Sequence, residues 1–137
     1  MSQENVAVAK AAIEAWNAGD MDAFSELCDP DIIVRPVPRW PEPGPFVGRE
    51  AVMRQWKQTR ETWDFDIVEP IGDFIDVGDR VAVRQIWRGH ASFQGVGQGP
   101  ESNIEVTNVF TVRKGLIFHQ EFFWDHAEAL ESLGLSE

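Results

Sequence analysis

Five polar side chains interrupt apolar stretches of this chain where turns or loops would more naturally place them: Gln85, Asn108, His119, Gln120 and Glu121. His119 and Glu121 can exchange a proton. With Asn108 to orient a polar substrate group they would make a small acid–base set. Gln85 and Gln120 add amides, which hold polar groups without transferring protons. Asn108 is the sharpest anomaly. Ile104, Val106, Phe110 and Val112 alternate with Glu105, Thr107, Thr111 and Arg113, the period of a half-buried strand, and Asn108 falls in the apolar register.

Whether these residues meet depends on how two strands pair. Lys114-Gly115 is a two-residue turn, with Gly where positive φ is needed, and it pairs Val112 with Ile117. Continuing in step sets Phe110 opposite His119 and Asn108 opposite Glu121, which brings His119 and Glu121 onto the face of Asn108. A bulge after Ile117 exchanges the sets and turns Gln120, Phe122 and Trp124 inward. Exposing Phe122 and Trp124 costs more than exposing His119 and Glu121, which favours the bulge. His119 and Glu121 then lie on the outer face, available to a subunit contact.

Other chemistries find less support. His90, His119 and His126 are not at metal-ligand spacing, and there is no HxxxH, HxH or Cys–His cluster, so neither a metal nor another cofactor is expected. Ser25, Ser92, Ser102 and Cys28 lack a base partner. Gly95, Gly97 and Gly99 sit in a loop with no following helix, unlike a phosphate cradle. Asp125 with Glu128 has the spacing of a capping box, so Asp125 reads as a helix cap. The net charge of −11 opposes nucleic-acid or anionic-membrane partners. Six Trp and nine Phe without one Tyr leave aromatic area for a core or a ligand cavity, but no phenolic donor.

The elements that must position these residues are legible in order. Val6, Ala9, Ile13 and Trp16 predict an amphipathic helix over about Gln3 to Ala18. Gly19 stops it and Asp20 caps a shorter helix with Phe24 and Leu27. Ile32 to Val34 make a short strand. Pro36 to Pro45, with five prolines, is a loop carrying Trp40, suited equally to covering a cavity mouth and to packing on a surface or a second subunit. Gly48-Arg49-Glu50 opens a third helix whose Trp56 and Trp63 read as core. Asp64 to Asp76 and Arg80 to Phe93 are long strands. In the second, Val81, Val83, Gln85 and Trp87 share one face and Arg80, Arg84 and Arg88 the other. Gln94 to Pro100 is a loop suited to a second lip. Asp125 to Leu133 is a closing helix ended by Gly134.

At 137 residues the chain is a single domain, residues 1–137. No apolar run approaches the ~20 residues of a membrane span, and MSQENVAVAK lacks the pattern of a secretory signal. Cytoplasmic residence is expected by default. Helices followed by long strands predict an α+β fold. We expect a cone-shaped α+β barrel, a curved antiparallel sheet with the N-terminal helices packed on its concave face.

The motifs AIEAWNAGDMDAF (Ala12–Phe24), DPDIIV (Asp29–Val34), GREAV (Gly48–Val52), FIDVGDRVAV (Phe74–Val83), VFTVRKGLI (Val109–Ile117) and DHAEALESLGL (Asp125–Leu135) resemble the nuclear transport factor 2-like superfamily, in its SnoaL-like branch. The resemblance spans nearly the whole chain, but its motifs are mainly caps, turns and core positions. It implies the fold, and a range from isomerases and polyketide cyclases to non-catalytic carriers. By similarity, the carboxylate base of ketosteroid isomerases falls near Pro36, their tyrosine near Ala12 and their Asp donor near Asn108. The aspartates of the epoxide hydrolases fall near Ala82 and Phe122. The cyclases' acid–base Asp also falls near Phe122, and their His near Gln120. Those active positions match the bulged register. They are held here by amides and aromatics, with no carboxylate.

The expectation is a domain that binds a hydrophobic small molecule, with Trp40, Trp87, Phe122 and Trp124 stacking and Gln85, Asn108 and Gln120 orienting polar groups. A homodimer through the sheet face is also expected. One alternative is an isomerase, cyclase or lyase working by acid–base chemistry on a steroid- or polyketide-like substrate, with Asn108, His119 and Glu121. Another is a protein-interaction module using the arginine face and the proline loop.

Overall fold

A computed structural model describes residues 2–40, 44–63, 65–90 and 101–135. Helix α1 (Ser2–Ala18) leads to α2 (Met21–Glu26), strand β1 (Cys28–Arg35), the two-residue strand β2 (Phe46–Val47) and helix α3 (Arg49–Trp63). Strands β3 (Phe65–Val77), β4 (Arg80–His90), β5 (Glu101–Arg113) and β6 (Leu116–Phe123) form a meander, and α4 (His126–Ser132) closes the chain. The boundaries follow local chemistry. Gly19 takes φ +72° where α1 must stop. Asp20 accepts from Ala23 N at 3.0 Å and Asp125 from Ala127 N at 2.9 Å, each satisfying a helix-start N–H. The loop expected over Gln94 to Pro100 lies outside the described residues.

The six strands run in the order β2-β1-β6-β5-β4-β3. Every pairing is antiparallel except that of β1 with β6, which is parallel. The α+β fold, with helices on a curved sheet, is the one expected; the sheet is mixed, not wholly antiparallel, and it is open. The reason is topological. β1 arrives from the helices and joins the far edge of the meander, a long-range parallel pairing of the kind that needs a crossover and leaves no local trace. At the other edge β3 is partly covered by a side chain. Asn17 donates to Val68 O at 2.9 Å and accepts from Val68 N at 2.7 Å, standing in for a piece of neighbouring strand.

Helices α1 and α3 lie on the concave face. Ala9, Ala12, Ile13 and Trp16 from α1 and Val52 and Trp56 from α3 join Val81, Val83, Phe110 and Phe122 of the sheet in one buried core. α4 lies on the opposite face, where Ala129 and Leu133 pack on Ala82 and Val109. Cys28 belongs to the main core and is fully buried; burial pushes its thiol up to about 12, and Sγ donates to Phe24 O. It is an inert core residue.

The decisive local feature is in the hairpin between β5 and β6. Lys114 and Gly115 take φ +54° and +79°, the two left-handed positions of a tight hairpin turn. Val112 pairs with Ile117, but the next residue, Thr111, pairs with His119. Phe118 is thus the extra residue of a bulge, and its ring lies under the Arg113 guanidinium, 4.2 Å from the ring centroid. From there Gln120 pairs with Phe110 and Phe122 with Asn108.

Candidate functional site

The register carries three amides to one place. Asn108 on β5 stands opposite Val83 of β4 and Phe122 of β6. Gln85 pairs with Val106 and Gln120 with Phe110, so each glutamine is two residues along from the partner of Asn108. On one sheet face that is a diagonal neighbour. The three amides span three adjacent strands on the concave side, with Asn108 in the middle.

Aromatic rings wall this polar floor. Trp16 from α1 and Trp56 from α3 meet edge-on with centroids 5.6 Å apart. Trp87 stacks nearly parallel to Trp16 at 6.4 Å, and Phe122 meets Trp56 at 5.8 Å and Trp87 at 5.6 Å. Such offset and edge-on pairs are the favourable ones, each contributing about 0.5–1.5 kcal/mol beyond burial. Its members come from four different elements, α1, α3, β4 and β6.

The space enclosed by the amides, Trp16, Trp56, Trp87 and Phe122 is about 30 Å³. A water molecule needs roughly 10–15 Å³ by the same measure, so this lobe has room for one or two. A second lobe of about 10 Å³ shares Trp56, Trp87 and Phe122 with it and is roofed by Pro36, Val37 and Trp40. Trp40 sits edge-on to Trp87 at 5.8 Å. The two lobes are one aromatic slot, closed on the proline-loop side by a tryptophan.

Its electrostatics are unusual. Gln85, Asn108 and Gln120 are 2%, 2% and 4% exposed, and their side-chain oxygens have no hydrogen-bond donor among the described residues. The Nε1 atoms of Trp16 and Trp56 are likewise buried without an acceptor. An unsatisfied buried polar group costs about 1–3 kcal/mol, so five around one cavity call for partners, which water in the lobe or a ligand can supply. Away from the slot, Thr107 Oγ1 meets His126 Nδ1 at 2.9 Å, while Asp76 Oδ1 is buried without a partner among the described residues. Among the described residues no charged side chain lines the aromatic slot, and no group of three or more His, Cys, Asp or Glu is gathered where it could hold a metal ion.

Of the residues expected at the site, Gln85, Trp87, Asn108, Gln120 and Phe122 line the inner lobe and Trp40 the outer one. Trp124 does not join them. It follows the end of β6, is 45% exposed, and donates from Nε1 to Pro38 O at 2.9 Å. There it braces the proline segment from outside, because the strand has ended before its inward position is reached. His119 and Glu121 lie on the face of β6 opposite Gln120 and Phe122, away from Asn108. Arg35 Nε donates to His119 Nε2 at 3.3 Å, which leaves the ring proton on Nδ1. Burial first, and Arg35 after it, lower the His119 pKa against the raising effect of Glu121, so the ring is neutral at pH 7. The set His119, Glu121 and Asn108 is not assembled. Two lining residues, Trp16 and Trp56, read from the sequence only as helix core. The surplus of tryptophan in the composition was their signal.

A model of the SnoaL-like domain matches residues 9–120. The chain belongs to the SnoaL-like domain family. Comparison with curated protein sequences returns no match. Among solved structures, this SnoaL-like domain is similar to a Mycobacterium tuberculosis protein in complex with estradiol-17beta-hemisuccinate, at 19% identity and TM-score 0.75, covering 90% of this chain and 95% of that one. It is also similar to TerC co-crystallised with polyporic acid, at 18% identity and TM-score 0.74, covering 96% and 99%. A protein of ketosteroid isomerase-like fold from Catenulispora acidiphila, in complex with trimethylamine, matches at 18% identity and TM-score 0.71, covering 93% and 92%. These likenesses establish the shared fold. The three ligands differ, so the fold does not dictate the ligand.

Proposed function

We propose that this SnoaL-like domain binds an apolar small molecule in the slot between its sheet and α1 and α3. The ligand stacks on Trp87, Phe122 and Trp40, and its polar groups are held by Gln85, Asn108 and Gln120. The observation that carries this reading is the set of three buried, unpaired amides under an aromatic wall. Structures of the same fold with bound small molecules support it. A ligand larger than a few atoms enters by parting Trp40 from Trp87 and displacing the rings of Trp56, Trp87 and Phe122 that the two lobes share. No helix among the described residues is long and apolar enough to cross a membrane, and the net charge of −11 speaks against nucleic acid as the partner.

Catalysis by His119 or Glu121 with Asn108 has no geometric support, since the sheet separates them. The outer face is better suited to a second copy of the chain. Arg84 and Arg88 form ladders there with Glu105 and Glu69, at 2.8 Å each, beside Ile67, which is 43% exposed. Mass measurement in solution checks that part of the reading, and a monomer at micromolar concentration argues against it.

The binding test is titration of hydrophobic ligands against tryptophan fluorescence. Quenching or a spectral shift that saturates is the expected result. Silence across a broad panel of steroid- and polyketide-like compounds removes the proposal.

A further inference from the structure

Given that the slot is a binding site, on which this step rests, we infer that it selects an uncharged ligand. The polar end of that ligand both donates and accepts hydrogen bonds, as a carboxamide, lactam or alcohol does, and carboxylates and ammonium ions of the same shape are rejected.

Three observations lead there. First, the groups that need partners are of both kinds. The three amides present carbonyl oxygens that accept and NH₂ groups that donate, while Trp16 and Trp56 can only donate. A ligand group that only accepts leaves the amide oxygens unmet, and one that only donates leaves the indole N–H groups unmet. Second, nothing in the described lining can neutralise a charge. Arg84 is paired with Glu105, Arg88 with Glu69 and Arg35 with His119, on the face of the sheet away from the slot, and Arg60 lies behind the Trp16 ring, bonded to Trp16 O and outside the lining. An ionised group buried without a counter-charge pays a desolvation cost that hydrogen bonds to neutral amides only partly offset. Third, the aromatic wall is a poor host for a cation. The Arg60 guanidinium already lies over the Trp16 ring, 4.7 Å from its centroid, and Arg60 Nη1 donates to Trp16 O at 2.9 Å. The cation-attracting capacity of that indole is taken up by the protein's own charge.

The test uses matched single-ring probes, which need Trp40 to part from Trp87 in order to enter, titrated into the ¹⁵N-labelled chain at pH 7 and read from the tryptophan indole N–H resonances. Benzamide is compared with benzoate, and benzyl alcohol with benzylammonium. We expect benzamide and benzyl alcohol to bind at least about ten-fold more tightly than their charged partners. Asn108→Leu should reduce the benzamide–benzoate preference by several-fold. A benzoate or benzylammonium that binds as well as its neutral partner overturns the inference and leaves the binding site in place. A preference unchanged in Asn108→Leu overturns the assignment of selectivity to the amides. No response to any of the four overturns the binding reading as well.

Discussion

The two faces of the sheet carry polar residues in opposite ways. On the outer face they are partly exposed and paired: Arg84 with Glu105 and Arg88 with Glu69 as ion pairs, and Arg35 with the neutral His119 through a hydrogen bond. On the inner face they are neutral, almost fully buried and unpaired: Gln85, Asn108 and Gln120. Water screens the outer pairs, so they cost little and contribute little. Among the described residues no protein donor meets the inner amide oxygens, so each one weakens the fold until a water or a ligand meets it. The contrast separates polar residues that serve the fold from polar residues the fold tolerates.

The largest effect tests whether the inner wall is structure as well as site. Trp56 contacts Trp16, Trp87 and Phe122 and is 5% exposed. Trp56→Ala should cost about 3–5 kcal/mol in urea denaturation, by cavity creation. A loss under 1 kcal/mol would mean the rings do not depend on one another and the wall is plastic.

The next effect is smaller and of opposite sign, which makes it the sharper test. Asn108→Leu replaces an unmet amide with an apolar group of similar size and should stabilise the ligand-free protein by about 1 kcal/mol, raising Tm by about 3 °C. Ligand response should fall in the same variant, the trade between stability and function expected of a binding residue. A destabilised variant would show that the amide is satisfied in the folded state and that the site argument fails at its centre.

How far this contrast could be read from the chain depends on the range of the interactions. The caps at Asp20 and Asp125, the stops at Gly19 and Gly134 and the turn at Lys114-Gly115 are local chemistry, and the structure places helix ends and a hairpin there. The inward parity of Gln85 and Asn108 followed from alternation alone. That of Gln120 and Phe122 needed the bulge at Phe118, which was decided by the cost of exposing aromatic area against that of exposing His119 and Glu121. Trp124 escaped that logic because parity is defined only while the strand lasts, and β6 ends at Phe123. The parallel pairing of β1 with β6 was invisible for a different reason: its partners are about as far apart as Ile33 and His119, and nothing local encodes such a contact.

On the outer face the expected effects shrink. Arg84 and Glu105 have side chains 43% and 50% exposed, so a double-mutant cycle through Arg84→Ala and Glu105→Ala should give a coupling of about 0.2–1 kcal/mol, reduced by salt. A coupling well above that in dilute monomer would mean the pair is less screened than its exposure indicates. A coupling that grows with protein concentration would instead place a second copy over the face.

His119 carries the smallest expected effect and a defined sign. Burial lowers its pKa in the folded chain, so between the ordinary value of 6.5 and the folded value the unfolded chain binds more protons. Its neutral form is fully accommodated above pH 6.5, and that contribution is lost as the pH falls through 6.5 toward and past the folded pKa. Protonation also gives Nε2 a hydrogen and removes the acceptor that Arg35 uses. Urea midpoints at pH 8 and pH 5 should therefore differ more for the wild type than for His119→Gln, whose amide can keep accepting from Arg35 at both. The comparison is with the variant and not with zero, so that only the His119 contribution is read. If His119→Gln leaves the difference unchanged, the Arg35–His119 contact does not govern the protonation of the ring. If it widens the difference, the ring is stabilised as a cation by Glu121, and the raising effect of that carboxylate outweighs burial.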